Sequence, residues 1–133
     1  MAEMKTYQNG ELCWYELTTQ NVDAAKEFYQ GLFGWNLEKS NVSPVDYTEI
    51  HNANQAIGGM MQINEQWGEG WQNIPAHWMT YIAVDSCDET IEKIKSNGGN
   101  ICVPPFDVPN VGRMSVVNDP SGATFSIIQF VSS

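Results

Sequence analysis

Residues 11–34, with the sequence ELCWYELTTQNVDAAKEFYQGLFG, contain a predicted strand followed directly by a predicted helix. Residues 11–18 are rich in aromatic and β-favouring side chains, which is typical of a strand. Asn21 is a favourable helix N-cap, and Gly34 is a favourable residue for a helix end. Between them, apolar residues recur at helical spacing, at Ala25, Phe28, Tyr29, Leu32 and Phe33. This segment predicts a β-α unit whose helix carries one continuous apolar stripe.

The rest of the chain predicts three more strands and then a second copy of the same element order. The strands of the first half are predicted at 35–39, 45–51 and 55–63. The second half is predicted to start with a strand at 77–85. A helix follows, which begins with a Ser86/Glu89 capping box and ends at Gly98-Gly99. The last three strands are predicted at about 100–103, 112–118 and 123–131. We therefore expect one α+β domain of two β-α-β-β-β modules, at about 11–63 and 77–131, joined by a linker at 64–76.

The composition limits the function classes. A chain of 133 residues with 42% hydrophobic content can bury one core of ordinary size. Its formal charge of −10 repels phosphate backbones and anionic lipid surfaces, so we expect neither a nucleic-acid nor a membrane partner. Three cysteines without a C-x-x-C motif predict no disulfide framework. No secretion signal or bilayer-spanning run is visible, so we expect a cytoplasmic protein.

Several fragments carry a family resemblance through their order and spacing. They are residues 13–35, with Phe28-Tyr29 and Leu32-Phe33-Gly34-Trp35, then Gly58-Gly59-Met60-Met61, Gly98-Gly99, Val103-Pro104-Pro105, Val111-Gly112-Arg113 and the turn at 118–122. Together they resemble the glyoxalase/bleomycin-resistance/dioxygenase (vicinal-oxygen-chelate) superfamily over about residues 10–130. The resemblance implies that the two modules pair into a cupped mixed sheet with a cavity inside. It also implies a possible homodimer, because relatives often dimerise.

In many members of this family, four strand positions hold a divalent metal. The resemblance places these positions at Trp14, at Met79, at Ser126, and at Met61 or Gln62. Indole, thioether and hydroxyl groups are poor ligands for a hard cation, and one amide cannot hold a metal by itself. We therefore expect no metal and no other cofactor. The alternative is a relocated metal site built from His77, Gln62 and Glu16, which would make the protein a metal-dependent lyase or dioxygenase.

The resemblance implies that Trp14, Met79 and Ser126 face the cavity, and strand alternation extends the candidate site from these positions. The predicted ligand-binding residues are Trp14, Met60, Gln62, His77, Met79, Tyr81, Ser126 and Ile128. The opposite strand faces, at Cys13, Tyr15, Leu17, Trp78, Ile82, Val84, Phe125 and Ile127, are expected to pack beneath the helices. Glu16 is the candidate general acid or base, because burial among apolar neighbours would raise its pKa.

This pattern predicts a protein that binds a small organic molecule without a metal. It is compatible with an enzyme and with a non-catalytic binding protein. The alternatives are the metal-dependent enzyme, a drug-sequestering protein like the bleomycin-resistance relatives, and an interaction domain whose cavity is filled by its own side chains.

Overall fold

A computed structural model of the chain describes residues 7–40, 47–63 and 75–131. These residues form two compact units. The first unit contains the described residues from 14 to 78, and the second contains residues 79–131 together with residues 7–13. Residues 64–74 of the predicted linker lie outside the described ranges.

The first unit contains one helix and four strands. Its elements are β1 (Leu12–Thr19, the greater part of it), α1 (Val22–Phe33), β2 (Asn36–Lys39), β3 (Tyr47–Asn52) and β4 (Gln55–Gln62). The strands lie in the order β2-β3-β4-β1. β1 pairs with β4 in parallel, whereas the other neighbouring strands are antiparallel.

The second unit repeats this connectivity. Its elements are β5 (His77–Ala83, the greater part of it), α2 (Cys87–Ser96), β6 (Asn100–Val108), β7 (Gly112–Asn118) and β8 (Thr124–Phe130). The strands lie in the order β5-β8-β7-β6, with β5 and β8 parallel and the other pairs antiparallel. The predicted α+β class is confirmed, and so is the strand-helix-strand-strand-strand order in each half.

The predicted helix boundaries are confirmed by their caps. The Asn21 side chain accepts a hydrogen bond from the backbone N–H of Ala24 at 3.1 Å, and Ser86 Oγ accepts one from Glu89 at 3.2 Å. Gly34 ends α1 with φ of 71°, a left-handed conformation that glycine adopts without steric cost. Within the described residues, neither helix has the length and hydrophobicity needed to cross a bilayer.

Each unit packs its helix against one face of its own strands. In the first unit, Leu17, Val22, Ile50 and Met60 form the buried cluster. In the second unit, the cluster is Cys87, Ile91, Val117 and Ile127, with Val84 and Phe125 packed against it. The predicted core positions Leu17 and Ile127 are therefore confirmed. Tyr15 and Trp78 differ from the prediction, because their side chains remain 47% and 42% exposed.

The apolar stripe of α1 is only partly buried. Ala25 and Tyr29 pack against the first core cluster, but Phe28, Leu32 and Phe33 each remain more than half exposed. Helical spacing places all five residues on one side of the helix, and of these Ala25 and Tyr29 pack against the core cluster. The stripe therefore leaves a large apolar surface in contact with solvent.

Strand β6 is longer than the sequence pattern predicts. The sequence predicts an end near Val103, whereas the strand continues to Val108. Pro104 and Pro105 cannot donate ladder hydrogen bonds. The pairing register between β6 and β7 shifts between Val103 and Phe106, so the two prolines fall within a bulge. β6 also lies at the end of the strand order in its unit, where proline is tolerated.

The turn between β7 and β8 gives a first testable prediction. The Asp119 carboxylate accepts hydrogen bonds from the Ser121 hydroxyl and from the backbone N–H groups of Ser121 and Ala123. These bonds, led by that of the Ser121 hydroxyl, hold the pKa of Asp119 below its ordinary value of 3.8. A carboxyl with a lowered folded-state pKa stabilises the fold above its ordinary pKa, and this contribution is lost as the pH falls through the folded-state value.

We expect Asp119→Asn to lower Tm at neutral pH and to have a progressively smaller effect as the pH falls below about 3.8. Melting curves of both proteins across the acid range test this. Asp85→Asn, which removes the same charge from another exposed position in the second unit, is the control. A Tm difference that stays constant down to strongly acidic pH would contradict the proposed role of the Asp119 carboxylate.

Candidate functional site

The first unit has a strand face that points away from α1. Leu17, Ile50 and Met60 face the helix, so side chains alternate with them onto the opposite side. That opposite side is formed by Trp14 and Glu16 from β1, Tyr47 and Glu49 from β3, and Gly59 and Met61 from β4, and is called here the helix-free face of the first unit.

Trp14 is held in place on this face by Tyr47. The indole N–H donates a hydrogen bond to the Tyr47 hydroxyl at 2.8 Å. A Cβ atom at Gly59 would overlap the Tyr47 ring, so only glycine lets this ring lie across β4. The half-buried Trp14 therefore presents a flat ring whose polar atom already has a partner. Such a ring can stack on a planar molecule, as the sequence predicted, although the role of Tyr47 was not foreseen.

Glu16 lies next to this tryptophan on the same face. Its side chain is 7% exposed, and it has a hydrogen-bonding or electrostatic partner in the fold. A carboxyl group in such a place meets the burial requirement for a general acid or base. Its catalytic role stays a prediction.

A second polar group near this face was missed by the sequence reasoning. The Nε2 atom of His51 lies 3.1 Å from the Glu49 carboxylate and 3.1 Å from that of Glu38. The antiparallel pairing of β2 with β3 brings these residues together, because Glu38 lies opposite Glu49. A bulge in β3 at Ile50/His51 changes the local register. No motif in the sequence signals such a bulge.

The structure gives Gln62 a different role from the predicted one. Its Oε1 atom accepts a hydrogen bond from the backbone N–H of Val22 at 3.0 Å, and its amide nitrogen donates to the carbonyl of Gln20. Val22 is the first residue of α1, whose N–H has no partner within the helix. Gln129 does the same in the second unit, where it accepts from Cys87 at 2.8 Å. Both polar groups of Gln62 thus support the start of α1 rather than face a ligand.

Met60 also departs from its predicted place. Its side chain is 0% exposed and packs with Leu17, Val22 and Ile50 beneath α1, so it has no surface to offer a ligand. The register pairs Met60 with Leu17 and Met61 with Thr18. The neighbouring Met61 therefore lies on the helix-free face.

The corresponding face of the second unit contains four of the predicted residues. Tyr81 lies opposite Ser126, and Met79 and Ile128 share their side of the sheet by alternation. The Ser126 hydroxyl donates to the sulfur of Met79 at 2.7 Å. Tyr81, Ser126 and Ile128 are buried, whereas Met79 is partly exposed. The strand pairing thus brings these four residues together as predicted, whereas their binding role stays a prediction.

His77 begins β5 and is partly exposed. Its Nδ1 atom lies 2.9 Å from the carbonyl oxygen of Pro75, a local contact within the same stretch of chain.

The residues present do not suit the divalent metal that the family resemblance implies. Indole, thioether and hydroxyl groups occupy Trp14, Met79 and Ser126, and the amide of Gln62 is used at the start of α1. Within residues 7–40, 47–63 and 75–131, no three His, Cys, Asp or Glu side chains are placed to hold a metal ion. We therefore derive no chemical step from a metal at these positions.

The buried cysteines are poor nucleophiles. Burial, followed by the nearby charge of Glu11, raises the pKa of Cys13 to about 11. Burial also raises the pKa of Cys87. Both thiols are therefore protonated at neutral pH, whereas the thiolate is the reactive form. Covalent catalysis through either residue is not supported by this geometry.

Comparison with known protein families adds independent information. The model of the Glyoxalase/Bleomycin resistance protein/Dioxygenase superfamily matches residues 12–127. "Putative glyoxylase CFP32" of Mycobacterium tuberculosis is 34% identical over 131 residues, which are 97% of this chain and 49% of that protein. "Anthracycline biosynthesis protein DnrV" of Streptomyces peucetius is 30% identical, over 93% of this chain and 48% of that protein. The chain thus spans about half the length of these curated relatives.

Solved structures show the same fold at low sequence identity. Methylmalonyl-CoA epimerase from Mycobacterium tuberculosis superposes with a TM-score of 0.64 at 12% identity, over 98% of this chain and 95% of that protein. At this identity the likeness establishes the fold and leaves the activity open.

Proposed function

Since this chain belongs to the Glyoxalase/Bleomycin resistance protein/Dioxygenase superfamily, we propose that it binds a small planar organic molecule on the helix-free face of its first unit, without a metal. The observation that carries the proposal is Trp14, whose indole is fixed by the Tyr47 hydroxyl above Gly59. A ring that is already ordered loses little conformational entropy when a ligand stacks on it.

The polar groups on this face support recognition by hydrogen bonding. The first unit offers the Tyr47 hydroxyl and the Glu16 carboxylate. An aromatic and apolar surface with a few ordered polar groups is typical of small-molecule sites. Glu16 is the residue we propose for any proton transfer to a bound ligand.

The relatives indicate which ligands to test first. One is named for anthracycline biosynthesis, so a tetracyclic anthracyclinone is the first probe. The other is named a glyoxylase, so the hemithioacetal of methylglyoxal and glutathione is the second. The three cysteines are free, which supports our further proposal that the protein works in the reducing cytoplasm.

Calorimetric titration with the anthracyclinone tests the binding proposal. We expect Trp14→Leu to weaken binding about tenfold, the loss of about 1.4 kcal/mol of stacking energy. Phe28→Leu, which removes an exposed aromatic ring from α1 and not from the helix-free face, is the control and should bind as the wild type does.

Glu16→Gln separates binding from chemistry. If the protein converts a ligand, we expect this variant to bind it normally while turnover falls about 100-fold or more. Hemithioacetal turnover that requires added nickel, zinc or manganese, together with no anthracyclinone binding, would refute the metal-free proposal and favour the metal-dependent lyase.

A further inference from the structure

The first unit has an open groove on its helix side, away from the face proposed above. It has a volume of 390 Å³ and lies between α1 and the strands. Five aromatic residues contribute to its walls, namely Tyr15, Tyr29, Phe33, Trp35 and Trp78. All of them belong to the first unit. Tyr15, Phe33 and Trp78 remain 47%, 56% and 42% exposed, so much of their apolar surface faces solvent.

The rings are arranged in an ordered stack. Tyr29 stacks with Trp35, with ring centroids 5.5 Å apart and an angle of 16° between the planes. Phe33 lies next to both, at 6.3 Å from Tyr29 and 5.1 Å from Trp35. Trp78 closes one side, nearly perpendicular to Tyr29, and its indole N–H donates to the Tyr29 hydroxyl at 3.1 Å. The groove is therefore a preformed surface of aromatic faces and edges.

The charge of the first unit indicates which class of ligand the groove favours. The described residues that line the groove carry no charged side chain. The sequence from 14 to 78 has eight acidic and two basic residues, a balance of −6. The negative faces of aromatic rings attract cations, and the acidic unit adds to this attraction.

From this geometry and charge we infer that the groove binds a planar aromatic cation, which stacks on Phe33 and Trp78 at the open side. Its volume accommodates a tricyclic or tetracyclic ring system. The site is independent of the ligand proposed for the helix-free face of the first unit, because none of these rings contributes to that face.

The test uses three probes of nearly the same shape in equilibrium dialysis with the whole chain. N-methylacridinium carries a permanent positive charge, acridine at mildly alkaline pH is neutral, and acridine-9-carboxylate is negative. We expect saturable binding of N-methylacridinium with a Kd on the order of 100 µM. Acridine should bind about fivefold more weakly, and the carboxylate should not bind measurably.

Two matched variants locate the site. Phe33→Leu should weaken N-methylacridinium binding about fivefold. Phe106→Leu changes the same residue type at a 39% exposed side chain of β6 in the second unit, and should bind as the wild type does. Trp14→Leu, which acts on the helix-free face, should also leave this binding unchanged.

Four outcomes would overturn the inference. In the first, the Phe33 and Phe106 variants bind alike. In the second, the neutral and negative probes bind as tightly as the cation. In the third, the chain sediments at twice its mass and no probe binds, which would mean that a second copy covers the groove. Loss of binding in Trp14→Leu alone would place the probe on the helix-free face and would likewise overturn it.

Discussion

Met60→Ala is expected to lower the free energy of unfolding by about 3 kcal/mol, because the substitution leaves a cavity in the core of the first unit. The Met60 side chain is 0% exposed and contacts the cluster formed with Leu17, Val22 and Ile50. Urea denaturation followed by circular dichroism measures the change. Met60→Leu, which conserves most of the volume, should lose less than about 1.5 kcal/mol.

The neighbouring methionine is the matched control for this experiment. Met61 lies on the helix-free face and is partly exposed, so Met61→Ala should cost less than about 1 kcal/mol. Ligand affinity should show the reverse order, with Met61→Ala weakening binding more than Met60→Leu does. Equal loss of stability in the two alanine variants would mean that the register of β4 against β1 is not the one described here.

Gly58→Ala is expected to destabilise the fold by about 3 kcal/mol or more, or to prevent folding. Gly58 pairs with Tyr15 on β1, and a Cβ atom at Gly58 would lie closer than 3.0 Å to the Tyr15 carbonyl oxygen. That oxygen belongs to the backbone of a paired strand, so it cannot move away without breaking the ladder. Unfolding in urea, or the yield of folded protein, measures the effect.

Gly31→Ala is the control variant, for which a gain in stability is expected instead of a loss. A Cβ atom at Gly31 meets nothing within 4 Å, and the residue lies within α1. Alanine has the higher helix propensity, so this variant should be more stable than the wild type by about 0.5–1 kcal/mol. If Gly58→Ala were as well tolerated as Gly31→Ala, the close approach of β4 to β1 would be refuted.

The pair Gly58-Gly59 is part of the sequence motif that resembles the family. The structure shows a different steric reason for each of the two glycines. Gly58 allows the backbone of β1 to approach, and Gly59 makes room for the Tyr47 ring. Neither neighbour is close in sequence, so the reason for either glycine could not be derived from the chain alone.

The candidate site was predictable in part. Strand alternation correctly grouped Met79, Tyr81, Ser126 and Ile128 on one face, because β5 and β8 are regular over that stretch. The same reasoning placed Met60 in the ligand site, whereas its side chain is buried beneath α1. It also gave Gln62 a ligand-binding role, whereas this side chain is hydrogen-bonded at the N-terminus of α1. Both errors lie in β4, whose facing direction depends on its parallel register with β1, a partner about forty residues distant.

The sequence by itself determined the local structure of this protein. Asn21, Gly34 and Ser86 set helix limits through hydrogen bonds and backbone preferences that act within a few residues, and such effects need no partner from elsewhere in the chain. The same holds for the order of strands and helices in each half. Charge and composition likewise led us to expect neither a nucleic-acid nor a membrane partner, and this stays a prediction.

Only the tertiary structure decided which side chains meet. The folded chain forms the Trp14–Tyr47 hydrogen bond, buries Met60 instead of Met61, and leaves aromatic rings along α1 exposed. These outcomes depend on strand register and on packing between segments that are distant in sequence. A shift of one residue in the pairing register turns the side chains of a strand to the opposite face. The hydrophobic pattern of the sequence does not by itself reveal such a shift. Packing between distant segments therefore fixes the chemistry that each face presents.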